Sequence, residues 1–87
     1  MNAQTTKRFW KSFYDLSEEL QQIAKKQFAL WKLDPYHNSL EFKQVGLLHS
    51  VRINDSFRAL GRTAENNTII WYWIGTHDEY MRLIGRG

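Results

Sequence analysis

Eighty-seven residues with a net charge of +3 and no cysteine describe one small domain rather than two. The missing cysteines exclude a disulfide scaffold and a cysteine zinc site, and no apolar run reaches the length of a membrane helix or fits a signal peptide. We therefore predict a soluble cytoplasmic domain without a metal site and without a cofactor.

The distribution of the basic residues indicates a class of partner. Every lysine or arginine after Lys43 is an arginine. Arginine presents a planar set of donors that suits phosphate and carboxylate groups. This pattern favours a nucleic-acid or an acidic protein partner, although solvated strand positions are the simpler explanation of the charge alone.

The chain begins with a segment whose structure the pattern leaves open. Residues 1–5 are predicted either to fray or to form a short edge strand. An aromatic stripe at helical spacing then predicts a first helix over residues 7–15. Thr5 or Thr6 is expected to be its N-cap.

A second helix follows directly. Ser17 is a good N-cap, and apolar residues continue at helical spacing to about Leu33. Pro35 ends this helix because the residue before a proline is pushed out of helical geometry. The two helices are predicted to form an antiparallel hairpin joined near residues 16 and 17.

The period of the apolar residues changes from helical to alternating after the proline. Alternation predicts short strands, and two intervening polar turns make the sheet largely antiparallel. The predicted strands span residues 40–43, 47–53, 57–62 and 69–74.

The last of these strands organises the rest of the chain. Its six consecutive apolar or aromatic residues predict a strand that is covered on both faces. Thr76 and Glu79 then form the pattern of a capping box, which places His77 in the first turn of a helix that ends near Gly85. The cap by itself explains this position of His77 without a function.

Together these elements predict one α+β domain over residues 1–87. Its N-terminal helical hairpin packs on a mostly antiparallel sheet of three to four strands, and a short helix follows at the C-terminus. The tryptophans Trp10, Trp31, Trp71 and Trp73 are expected in the core. Alternatively, Trp71 or Trp73 stacks a nucleic-acid base if its face of the sheet is open.

Five residues could carry chemistry, although no nucleotide-binding loop, metalloprotease motif or nucleophile elbow is present. Arg52 and Arg58 lie on neighbouring strands of one hairpin, Lys43 precedes them, and His77 and Tyr80 follow the last strand. Such a set suits metal-free RNA cleavage. A base deprotonates the ribose 2′-hydroxyl, cations stabilise the phosphorane, and an acid protonates the leaving oxygen.

Each of these residues also has a structural interpretation. Arg58 could pair with Glu41 or Asp55, and Arg52 could be a charge at the rim of the sheet. Tyr80 is more often a core aromatic residue of the last helix. The sequence alone leaves these alternatives open.

The chain resembles the RelE/ParE toxin superfamily of bacterial type II toxin–antitoxin systems. The order and the spacing of several short segments carry the resemblance over nearly the whole chain. These segments are 5–10 (TTKRFW), 34–40 (DPYHNSL), 48–53 (LHSVRI), 57–61 (FRALG) and 70–80 (IWYWIGTHDEY).

The resemblance implies a helical hairpin on a curved sheet, wrapped by a partner antitoxin. Arg58 matches the arginine of the family's third-strand motif, and Arg52 matches the basic residue of the preceding strand. His77 stands where the family has a late arginine, Tyr80 matches the tyrosine near the C-terminus, and Lys43 matches a lysine before the hairpin.

Members that resemble RelE cleave messenger RNA in the ribosomal A site, whereas those that resemble ParE poison DNA gyrase. The resemblance therefore implies a metal-independent endoribonuclease that inhibits translation, with Lys43 and Arg62 as further RNA contacts. A gyrase-directed toxin without catalysis and a non-toxic protein that only binds its antitoxin are the alternatives.

Overall fold

A five-stranded sheet separates a helical hairpin on one face from a short helix on the other, and the architecture is α+β as predicted. The computed structural model describes residues 1–85. The elements are β1 (Asn2–Thr5), α1 (Lys7–Tyr14), α2 (Glu18–Leu33), β2 (Lys43–Val45), β3 (Leu48–Asn54), β4 (Phe57–Ala64), β5 (Thr68–Thr76) and α3 (His77–Gly85), with a 3-10 turn at Asn38–Leu40. No helix within residues 1–85 is both long and apolar enough to cross a membrane.

The strands lie in the order β1-β5-β4-β3-β2, and all pairs except β1 with β5 are antiparallel. The sheet therefore has one strand more than the upper limit of the prediction. The added strand is β1, which confirms the edge-strand alternative predicted for residues 1–5, and it pairs parallel to β5 with Asn2 opposite Thr68. Because β1 is short and mostly exposed, its side chains give no alternating pattern, and its pairing depends on the backbone of β5.

The predicted helix caps are confirmed. The Thr6 hydroxyl accepts a hydrogen bond from the amide of Phe9, and the Ser17 hydroxyl accepts one from Leu20. These bonds satisfy amides that the first helical turn leaves without partners. The second helix ends at Leu33, directly before the residue that precedes the proline.

The main core lies between the helical hairpin and the sheet. Trp31 and Trp71 are fully buried there with ring centroids 5.5 Å apart, in an edge-to-face arrangement. A Cβ atom at Gly61 would lie 2.6 Å from Ile69 Cγ2 and 2.9 Å from Trp71 Cε3. Only glycine therefore fits at this position of β4, because the large ring occupies the space of a side chain.

A smaller core lies on the opposite face, which we call the α3 face. It contains Leu60, Trp73 and Tyr80, with Leu48 and Tyr72 packed against them. A bulge between β4 and β5 leaves Tyr72 without a partner on β4. Since one extra residue reverses the alternation, Tyr72 and Trp73 both point towards α3.

The structure corrects two local predictions. The segment 40–43 is not a strand: a 3-10 turn ends at Leu40, Glu41 has the left-handed φ of 42°, and the strand begins at Lys43. Trp10 is not a core residue, because 40% of it is exposed and its indole donates a hydrogen bond to Thr5.

The alternative prediction that Trp71 or Trp73 stacks a nucleic-acid base is also wrong. Trp71 is 1% exposed and Trp73 is 7% exposed, so neither ring has an open face on which a base could stack. The prediction that β5 is covered on both faces is confirmed, since Trp71 belongs to the main core and Trp73 to the smaller one.

Candidate functional site

The two arginines of the predicted site lie side by side. In the register of the sheet, Arg52 of β3 is directly opposite Arg58 of β4, which is opposite Gly75 of β5. Alternation along the strands puts both arginines on the α3 face, because each is two residues away from a residue of that face, Ser50 or Leu60. The sequence therefore predicted correctly that these two side chains are neighbours.

Arg58 is held closely by its surroundings. Its guanidinium donates to the backbone carbonyls of Asn54, at 2.6 Å, and Phe57, at 3.0 Å. The side chain is 15% exposed, and its Nη2 lies 3.8 Å from Glu41 Oε2. These bonds fix the guanidinium at the end of the β3–β4 hairpin and leave it partly accessible.

Arg52 is the more exposed partner of the pair. It forms an ion pair with Asp55 in the hairpin turn, and its Nη1 donates to the carbonyl of Ser39. Its Nε lies 3.7 Å from the same Glu41 oxygen that Arg58 approaches. The predicted pairing of Arg58 with Glu41 is confirmed, whereas Asp55 pairs with Arg52.

The arginine pair has an electrostatic cost that its neighbours reduce. Like charges directly opposite each other on adjacent strands repel. Glu41 lies between the two guanidinium groups and so offsets part of this repulsion. The sequence offered Glu41 only as a partner for Arg58, because the left-handed turn that brings it to both arginines has no clear sequence signal.

The N-terminus of α3 lies beside this pair. The amide of Glu79 donates to the Thr76 hydroxyl at 3.2 Å, and the amide of Thr76 donates to Glu79 Oε1 at 3.2 Å, which confirms the capping box. The amide of His77 donates to the carbonyl of Ser56 at 2.7 Å. The helix therefore begins against the turn that carries Arg58.

His77 and Tyr80 are in contact, with ring centroids 5.8 Å apart. Tyr80 is 3% exposed, and its hydroxyl donates to Ser50 Oγ at 3.2 Å. Its predicted role as a core aromatic residue is confirmed. His77 is half-buried at the helix start.

The two further predicted RNA contacts lie at different places. Lys43 is exposed on the edge strand β2 and lies opposite Ser50. Arg62 is exposed near the other end of β4, opposite Leu48 and Ile70. Four residues at about 3.3 Å each separate Arg58 from Arg62 by about 13 Å along the strand.

His49 lies outside the site and has a lowered pKa. Burial lowers the pKa of His49 below its ordinary value of 6.5. Its ring stacks on Phe42 at 5.2 Å between centroids, and its Nδ1 lies 3.1 Å from the Thr63 hydroxyl. These contacts make His49 part of the packing of the sheet. Within residues 1–85, no group of three or more potential ligands could hold a metal ion.

The chain matches no protein-family model and no curated protein. Solved structures do resemble it over most of its length. A YoeB/ParE toxin from Agrobacterium tumefaciens has a TM-score of 0.67 at 13% identity, over 88% of this chain and 99% of that one.

Two further structures show the same similarity. The RelB–RelE antitoxin–toxin complex of Methanococcus jannaschii has a TM-score of 0.70 at 12% identity, over 92% of this chain and 96% of the matched one. YafQ from Escherichia coli has a TM-score of 0.69 at 9% identity, over 91% of this chain and 96% of the YafQ chain. The resemblance drawn from the sequence is thus confirmed for the tertiary structure, and the chain shares the fold of these toxin structures.

Proposed function

We propose that this chain is the toxin of a bacterial type II toxin–antitoxin system, and that it inhibits translation in the cytoplasm by ribosome-dependent cleavage of messenger RNA. The observation that carries the proposal is the position of Arg52 and Arg58, directly opposite each other beside the first turn of α3. Two adjacent guanidinium groups, with a histidine in the first turn of the helix that begins against the same hairpin, suit metal-independent phosphodiester cleavage.

In this mechanism the two arginines stabilise charge. Arg58 is fixed by two backbone carbonyls, so its guanidinium needs little reorganisation when negative charge develops on the phosphorane. Arg52 is the second cation. A bound phosphate would compete with Glu41, which approaches both arginines in the unbound chain.

His77 and Tyr80 have different roles in the proposal. His77 is the group that exchanges a proton with the ribose or the leaving oxygen, because an imidazole can both donate and accept a proton and this residue is only half-buried. Tyr80 was predicted to be catalytic, but its buried hydroxyl is bonded to Ser50. We therefore assign it the role of holding α3 on the sheet, which positions His77. Lys43 and Arg62 would contact the RNA backbone.

We propose a cognate antitoxin as the protein partner. The similar structure from M. jannaschii is a RelB–RelE complex. A net charge of +3 on this chain suits an acidic partner. Exposed aromatic residues on the helical hairpin, Trp10 and Tyr14, offer apolar area to the same partner.

One observation favours a second candidate function. The hydrogen bonds of Arg58 to Asn54 and Phe57, and its proximity to Glu41, are also what a purely structural arginine would make. That arrangement suits a toxin that acts by binding, such as one directed at DNA gyrase, or a protein that only binds its antitoxin.

Induced expression in a bacterial host separates these functions. Growth is followed, and messenger RNA is mapped for new 5′ ends. The proposal expects growth arrest with cuts confined to translated codons. Arrest with intact RNA and damaged DNA would favour gyrase, and unimpaired growth would favour an inactive binding protein.

A further inference from the structure

Three further arginines, Arg8 of α1, Arg62 of β4 and Arg82 of α3, form a second group of charges. Arg8 of α1 lies with its guanidinium carbon 5.8 Å from the centre of the Tyr72 ring, which is a cation–π contact. Arg8 and Arg82 of α3 line one cleft of about 320 Å³ together with Trp73, Glu79 and Leu83. All three charges thus come from elements that are far apart in sequence.

Arg62 approaches the same aromatic ring from the sheet. It is opposite Ile70 on β5, two residues before the bulged Tyr72. Burial raises the pKa of Tyr72, while the positive charges of Arg8 and Arg62 act in the opposite direction. We call Arg8, Arg62, Arg82 and Tyr72 the distal arginine cluster.

The arginines of this cluster form no ion pair within the part of the chain that the structure describes. The ion pairs among residues 1–85 involve only Arg52 and Arg58, with Glu41 or Asp55 as their partners. The carboxylate that faces the cluster is that of Glu79, and its Oε1 accepts hydrogen bonds from both the amide and the hydroxyl of Thr76. The capping box therefore holds one oxygen of Glu79, and the carboxylate remains the single acidic group that lines this cleft beside Arg8 and Arg82.

We propose that the distal arginine cluster binds the sugar–phosphate backbone of RNA. Guanidinium groups bind phosphate oxygens in a planar, bidentate geometry, and an aromatic ring beside them suits the stacking contacts of single-stranded RNA. The cluster lies on the α3 face, about 13 Å along β4 from Arg58 if each residue contributes about 3.3 Å.

This inference rests on the proposed function, because it extends the same RNA-binding face beyond the cleavage site. It adds Arg8, Arg82 and Tyr72 to the predicted contact Arg62. An acidic protein segment is a different partner for the same charges, and the experiment below distinguishes it from RNA.

The test measures binding of the full chain to a fluorescein-labelled 12-nucleotide single-stranded RNA by fluorescence anisotropy, between 50 and 200 mM salt. The triple variant R8Q/R62Q/R82Q is compared with K25Q/K26Q/K32Q. The control removes the same charge from exposed positions of α2, on the other face of the sheet. Circular dichroism checks that both variants are folded.

We expect the arginine variant to bind RNA at least about tenfold more weakly, since three phosphate contacts are lost. The slope of log affinity against log salt should fall in magnitude by about 2, at about 0.7 for each phosphate on a single strand. The lysine variant should keep the slope and change affinity less than about threefold.

Equal weakening in both variants would overturn the inference, because net charge alone would then explain binding. Unchanged binding by the arginine variant, or no RNA binding by the parent chain, would overturn it too and would leave an acidic protein as the partner. The proposed function fails separately: a parent chain that binds RNA through the cluster but produces no cuts in cells refutes cleavage and leaves the inference intact.

Discussion

The two faces of the sheet are built in opposite ways. The hairpin face is closed over a large aromatic core around Trp31 and Trp71. The α3 face has only a small core around Leu60 and Tyr80, with arginines at both ends of β4. Stability is therefore concentrated on one face, and charge that binding or catalysis can use is concentrated on the other.

The comparison also explains why a short helix can lie over a charged face. The last helix packs Tyr80 on Leu60 and Trp73 and bonds it to Ser50, while Arg58 and Arg62 each lie two residues from Leu60 along β4. A longer apolar helix would have to bury these guanidinium groups, which is costly without paired carboxylates.

The largest effect on stability is expected on the hairpin face. Trp31→Ala should lower the free energy of unfolding by about 3–5 kcal/mol, because it leaves a cavity at a fully buried ring. Denaturant unfolding followed by circular dichroism measures the loss. Trp31→Phe is the matched control, and it should cost much less because the buried indole N–H has no hydrogen-bond partner to lose among the described residues. Equal losses in both variants would contradict this account of the core.

On the α3 face, the largest effect should be on activity. Arg58→Ala is expected to lower messenger RNA cleavage by about 10²- to 10³-fold, the usual effect of removing one group that stabilises developing charge. Growth after induction and the mapping of 5′ ends measure this loss. Lys26→Ala, an exposed change on α2, is the control and should remain toxic. A folded Arg58→Ala protein with full toxicity would remove Arg58 from the site.

A smaller effect is expected where α3 is attached to the sheet. Tyr80→Phe removes the hydrogen bond to Ser50 and should lower the free energy of unfolding by about 1 kcal/mol. The double variant Tyr80→Phe/Ser50→Ala should lower the free energy of unfolding by less than the sum of the losses in the two single variants, since the two hydroxyls are each other's partners. Additive losses would show that this bond does not hold the helix.

The smallest expected effect is a pH dependence of the free energy of unfolding that is caused by His49. Because burial lowers the pKa of this imidazole, the unfolded chain binds the proton more readily than the folded one. The free energy of unfolding is therefore highest at pH values above 6.5, the ordinary pKa of the group, and it decreases as the pH falls through that value. Urea unfolding measures the free energy of unfolding at pH 5.5 and 7.5. The difference between the two values should be smaller for His49→Gln than for the parent chain. The same change at the exposed His37 is the control, and an unaltered difference at His49 would refute the assignment.

Local signals in the sequence predicted most of the fold. The caps at Thr6, Ser17 and Thr76 were predicted because capping depends on residues only a few positions apart. The neighbouring position of Arg52 and Arg58 followed from the hairpin between β3 and β4, which has a short turn and an alternating pattern. Features with a short sequence separation were thus within reach of sequence analysis.

Features that depend on contacts between distant segments were predicted less completely from the sequence. The strand β1 pairs with β5 across more than sixty residues, as in the hydrogen bond from Asn2 to Asn66 with a separation of 64, and its polar side chains carry no pattern. The exposure of Trp10 depends on how α1 lies against the sheet, since an aromatic residue at helical spacing fits a core equally well.

The sequence by itself determined the α+β class, the helical hairpin, the antiparallel hairpins and the candidate arginines, because each depends on local periodicity, capping or turn chemistry. Only the tertiary structure decided that Glu41 reaches both arginines, that Tyr80 is bonded to Ser50, and that Arg8 lies over Tyr72. The physical reason is that these contacts join side chains from separate elements, and their geometry depends on how the whole sheet twists and packs.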